Sequence, residues 1–144
     1  KKKNIFNKEV KVRTTVQAGY TYLPINKLNN FYSKKSFLLG QKKIKDRVNQ
    51  ISLLSKENKI DFYLAIFPFA DTIEYGQKIF NWEEFSKSLC EVNKCKLVNS
   101  FENYINYKKK NKDWYQELFF IGDEHFTELG HSILANKLTE EIYK

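Results

Sequence analysis

The chain has 144 residues, 42% of them hydrophobic and 16% aromatic, which suits one globular domain with a real core rather than a disordered chain. Its formal net charge is +8. The excess is almost all lysine, with Arg13 and Arg47 as the arginines, and Lys, Asn, Ile, Phe and Tyr are all abundant. That is the composition an AT-rich genome encodes, so the charge is discounted as a sign of nucleic-acid binding, and no nucleic-acid partner is expected.

No apolar run approaches the roughly 18 residues needed to span a bilayer, and Lys1-Lys-Lys-Asn opens no signal peptide. Whether the chain meets a membrane is left open. There is no methionine, at position 1 or elsewhere. The simplest expectation is a chain that begins inside a longer protein, with a natural cleavage product as the other. The compartment is open too, with a periplasmic or cell-envelope setting favoured over the cytoplasm.

Residues 1–39 read as a lead-in to the rest of a single domain. Residues 1–9 are basic and polar. Val10, Val12, Thr14 and Val16 alternate with Lys11, Arg13 and Thr15, the period of a half-buried strand. Residues 24–40 lack a clean period and read as a long connection anchored by Phe31, Tyr32 and Phe37. From Gln41 to Glu57, Ile44, Val48, Ile51 and Leu54 recur at helical spacing and are expected to face inward, with Asn58 as the stop. Residues 59–68 are nearly all apolar and read as a strand buried on both faces, ended by Pro68.

Residues 70–80 read as a loop that can hold a short turn. Asn81 is a candidate N-cap, with Glu84 three residues on, for a helix whose apolar face is Trp82, Phe85, Leu89 and Val92. A short strand is expected over 95–99. Ser100 can cap a helix with Phe101, Tyr104 and Ile105 inward. Residues 114–121 lead into a strand that is strongest at Leu118-Phe-Phe-Ile121. Thr127 can cap a last helix with Leu129, Ile133, Leu134, Leu138 and Ile142 inward. Strands alternating with helices predict an α/β domain with a parallel sheet.

Cys90 and Cys95 stand apart from any histidine and fit no zinc pattern. Two free, partly buried thiols are the favoured reading, with a short-loop disulfide as the alternative in an oxidising compartment. No cofactor and no metal is expected. A metal set of Asp123, His125 and His131 is conceivable from the residue types alone, but its spacing matches no strong motif.

In open α/β sheets, functional groups gather beyond the carboxyl ends of the strands. Residues 122–127 occupy such a place. In an extended loop Asp123 and His125 project to one side, so the carboxylate can orient the imidazole and leave its other nitrogen as a base. The bland reading is a pair of polar residues at a helix start, with Asp123 complementing the helix dipole. No Gly-Asp-Ser or Gly-x-Ser-x-Gly supplies a nucleophile.

The blocks Ile66-Phe-Pro-Phe-Ala70, Trp82-Glu-Glu-Phe85, Leu97-Val-Asn-Ser-Phe101 and Phe119-Phe-Ile-Gly-Asp-Glu-His-Phe-Thr-Glu-Leu-Gly-His131 resemble the C-terminal part of the SGNH (GDSL-type) hydrolase superfamily, from about Gly40 to the end. The last block is nearest to branches, including acyltransferase-like proteins of exopolysaccharide O-acetylation, that write Asp-x-His where the familiar form is Asp-x-x-His. The resemblance implies a three-layer αβα, flavodoxin-like parallel sheet, of which this chain would hold the C-terminal portion. It implies His125 as catalytic base and Asp123 as its orienting acid. It also implies an acyl ester or acylated carbohydrate as substrate, and a serine block upstream of residue 1. A non-catalytic binding or assembly module on the same fold is the alternative. Half a sheet would leave an exposed edge, so a homo-oligomer is a further expectation.

Overall fold

The computed structural model describes residues 34–123 and 125–144. The strand read over 10–16 and the aromatic anchors Phe31 and Tyr32 lie outside the described residues. The elements run α1 (Lys34–Glu57), β1 (Tyr63–Ile66), α2 (Ala70–Tyr75), α3 (Trp82–Asn93), β2 (Lys96–Asn99), α4 (Phe101–Lys110), α5 (Trp114–Leu118) and α6 (Glu128–Ile142). The fold is mixed α/β and mostly helical. The two strands are parallel and in register from Tyr63 opposite Lys96 to Ile66 opposite Asn99. Parallel neighbours need a crossover, and α2 and α3 provide it. Helix α3 packs on both strands and on α1, while α6 packs on β2 and α5.

Each helix that leads into a strand ends in the same way. After α1, Lys59 takes a left-handed φ of 55°, its N–H donates to Lys56 O, and the Ile60 N–H donates to Ser55 O. After α3, Lys94 takes the same φ and the Cys95 N–H donates to Cys90 O. Both are Schellman turns, which satisfy carbonyls left over at a helix end and redirect the chain. The helix ends at Glu57, as expected from the stop at Asn58, whose side-chain amide donates to Leu54 O.

The second of these turns settles the cysteines. Cys90 and Cys95 form a disulfide rather than two free thiols. They occupy the two positions that in a Schellman turn usually share an apolar contact. The covalent bond replaces that contact and ties the end of α3 to the start of β2.

Several expectations need correcting. Residues 34–40 extend α1 toward the N-terminus rather than belonging to a loop, and Phe37 meets Phe80 edge-on at 5.1 Å. Of the predicted inner face of α1, Val48 is buried, but Ile51 and Leu54 are exposed and Ile44 is at the border. Residues 70–75 form a short helix, not a loop. The strand expected over 114–121 is instead α5 followed by one antiparallel bridge, Phe119 to Phe126. Leu118 and Phe119 are buried as expected, whereas Phe120 and Ile121 are exposed. On α6, Ile133, Leu134 and Leu138 are half-buried but Leu129 and Ile142 are exposed, and on α3 Val92 is almost fully so.

The caps at Asn81 and Thr127 are present: their side chains accept from Glu84 N and Gly130 N. Ser100 precedes α4 but uses its hydroxyl elsewhere, donating to Ile66 O at the end of β1.

The core is aromatic. Phe126 stacks on Tyr104 with ring centres 5.0 Å apart, meets Phe119 at 4.9 Å and reaches Phe67 at 5.2 Å. Such pairs add about 0.5–1.5 kcal/mol each beyond the area they bury. The Tyr104 hydroxyl, fully buried, donates to Gly130 O at 2.7 Å. Burial pushes this phenol above its ordinary range, so it stays protonated as a donor.

Gly130 is required by space. A Cβ there would collide with the Leu118 carbonyl oxygen and with the Phe126 ring at 2.8 Å. Gly130→Ala is expected to destabilise the fold by about 1–3 kcal/mol through forced backbone shift, read as a lower thermal midpoint in calorimetry. Reduction of the disulfide is expected to cost about 2 kcal/mol by releasing a short loop. A thermal melt with and without dithiothreitol checks this, and a Cys90→Ala/Cys95→Ala variant should show no response to the reductant.

Candidate active site

The loop between α5 and α6 is closed at its base. Thr127 N donates to Leu118 O, Phe120 N donates to His125 O, and the Thr127 hydroxyl donates to Glu117 O. One threonine side chain thus fastens the loop to α5 and caps α6. Within the loop, Asp123 N donates to Phe120 O, and Gly122 sits between them with φ of 78°. A positive φ at the third position fits a type II turn, where glycine carries no Cβ penalty. The Gly122 N–H also points to the Tyr115 hydroxyl at 3.4 Å.

The turn brings Asp123 and His125 together. Asp123 Oδ1 lies 2.6 Å from His125 Nδ1 and also accepts from the His125 backbone N–H at 3.2 Å. This is an Asx-turn closed a second time through the imidazole. The pair therefore meets by a turn rather than along the extended loop expected from sequence. A carboxylate can only accept, so in the neutral ring the proton belongs on Nδ1 and Nε2 keeps its lone pair. The His125 side chain is 82% exposed and that of Asp123 51%, so Nε2 opens to solvent.

Helix-dipole complementarity at α6 falls to Glu128 in its first turn, not to Asp123. His131 stands one turn into α6. Its ring meets Phe126 edge-on at 5.6 Å, and no hydrogen bond joins it to the Asp123–His125 pair. Among the described residues, no group of three or more His, Cys, Asp or Glu is placed to hold a metal ion.

The pair sits near the carboxyl end of the sheet. Phe67, the first residue after β1, packs on Phe126, the neighbour of His125. At the end of β2, a polar chain appears that sequence reasoning missed. Asn99 Nδ2 donates to Glu83 Oε1 at 2.7 Å, and Gln77 Nε2 donates to Glu83 Oε2 at 2.8 Å. Asn99 Oδ1 accepts from Phe101 N, and Gln77 Oε1 accepts from Trp82 N. These bonds hold the stretch between α2 and α3 against the end of β2. Asp71, in the first turn of α2, is fully buried. The sequence clue was the place of Asn99 at the end of β2 and of Asp71 shortly after β1.

The chain matches no family model, no curated protein and no solved structure.

The tautomer is open to measurement. At alkaline pH, nitrogen-15 NMR of the imidazole is expected to show His125 protonated at Nδ1. Asp123→Ala should shift the population toward the Nε2–H form that free histidine prefers. An unchanged tautomer would show that the carboxylate does not orient the ring.

Proposed function

We propose that this chain supplies the histidine base and orienting aspartate of an ester hydrolase or O-acyltransferase of SGNH type. The observation that supports this reading best is the 2.6 Å contact of Asp123 Oδ1 with His125 Nδ1, in a tight turn that leaves Nε2 facing solvent. In the proposed reaction, Nε2 accepts the proton of a serine hydroxyl as its oxygen attacks the acyl carbonyl. The proton then passes from Nε2 to the leaving alcohol as the acyl-enzyme forms, and water or an acceptor hydroxyl releases the acyl group by the same path. Asp123 holds the ring and stabilises the imidazolium.

The serine is proposed to lie outside the described residues. β1 and β2 are read as part of a three-layer αβα sheet, with Asp123 and His125 beyond its carboxyl end. The acyl ester of a saccharide is the proposed substrate, because the branches whose final block this chain resembles act in exopolysaccharide O-acetylation.

The test is hydrolysis of p-nitrophenyl acetate and of an acetylated oligosaccharide by the full gene product. His125→Ala is expected to lower kcat by about a thousandfold or more, since triad members act as a unit. Wild-type turnover by that variant would overturn the assignment. Absence of esterase and acetyltransferase activity in the wild-type protein would favour the second reading, a binding or assembly module on the same fold. The observation that speaks for it is the exposure of His125, whose Nε2 has no hydrogen-bond partner among the described residues.

A further inference from the structure

We propose that α1 is a docking surface for an anionic lipid bilayer, on which it lies flat without crossing. The proposal is independent of the catalytic reading. Helix α1 carries seven lysines and arginines against Asp46 and Glu57, so it holds more than half of the chain's net charge of +8. Among the described residues the net positive charge lies on this helix, because the others together are slightly negative.

The same helix exposes leucines. Leu38, Leu39, Leu53 and Leu54 are 50–59% exposed, while Val48 is buried and faces the domain. At about 100° per residue these leucines fall within about 160° of arc, on the side away from Val48. Lys35, Lys42, Lys43 and Lys56 share that arc and are exposed, with Asp46 and Glu57 among them. Long lysine stems can lie beside buried leucines while their ammonium groups reach lipid phosphates. The helix has 24 residues, about 36 Å, so both leucine pairs can touch one plane. No described helix is long and apolar enough to cross a membrane, which leaves the surface-lying mode.

Charge complementarity selects the occupant. A second copy would set one cationic helix against another. Nucleic acid would satisfy the lysines but leave four leucines in water. An anionic leaflet takes both, since phosphate attracts the lysines and the acyl boundary takes the leucines.

The test is co-sedimentation of the chain with vesicles of phosphatidylcholine alone or with a quarter phosphatidylglycerol, at low and physiological salt. Binding at least tenfold stronger to the anionic vesicles is expected. Leu38→Ser/Leu39→Ser and Lys42→Glu/Lys43→Glu should each weaken it about tenfold or more, with circular dichroism unchanged. No binding, equal binding to both vesicles, or wild-type binding by both variants would overturn the proposal. So would a leucine variant that keeps vesicle binding and loses self-association in sedimentation velocity, which would assign the face to a second copy. Tighter binding to duplex DNA than to the anionic vesicles would overturn it in favour of nucleic acid.

Discussion

The close approach of α6 to the end of α5 is the constraint on which the candidate site depends. Gly130 lets the helix backbone settle against Leu118 O and Phe126. Tyr104 then bonds the Gly130 carbonyl and stacks on Phe126. Each contact needs the others: a side chain at position 130 would separate the helix from the loop base, and a displaced Phe126 would release Phe67 and Phe119 as well. Interiors packed at native density transmit such shifts rather than absorbing them. The turn holding Asp123 and His125 hangs from this point, because Phe126 is packed in the core and Thr127 is bonded to α5 and caps α6.

The elements the sequence revealed were those with a full local signature. The caps at Asn81 and Thr127 combine an acceptor side chain with a free backbone donor three residues on, a relation written entirely in adjacent residues. The nearly continuous apolar run over 59–68 contained β1, trimmed to the part that pairs with β2, but its four residues are half-buried rather than buried on both faces. The meeting of Asp123 with His125 was also legible, since a residue two positions on is within reach of an Asx side chain whether the loop is extended or turned.

The failures have a common cause: tertiary partners that no local window contains. Trp114-Tyr-Gln-Glu-Leu118 is apolar at both ends, and periodicity cannot separate one helical turn from a short strand. It becomes a helix with Trp114, Tyr115 and Leu118 inward. The inner face of α1 was misjudged because, among the described residues, it is mainly α3 and the stretch before it that pack on the helix, through Val48, Phe37 and Ser52. Cys90 and Cys95 could be paired only once the left-handed Lys94 showed that the chain reverses between them.

The Asp123–His125 contact spans two residues of one turn. Closing so small a loop costs little chain entropy, whereas parallel pairing of β1 with β2 must first bring together residues more than thirty apart. Asp123 and His125 can thus find each other early in folding, before β1 and β2 have paired. A triad whose members are scattered over distant strands must assemble all its angles at once. In the proposed reading, two of the three roles form a preassembled unit, and only the approach of the nucleophile is left to the global topology.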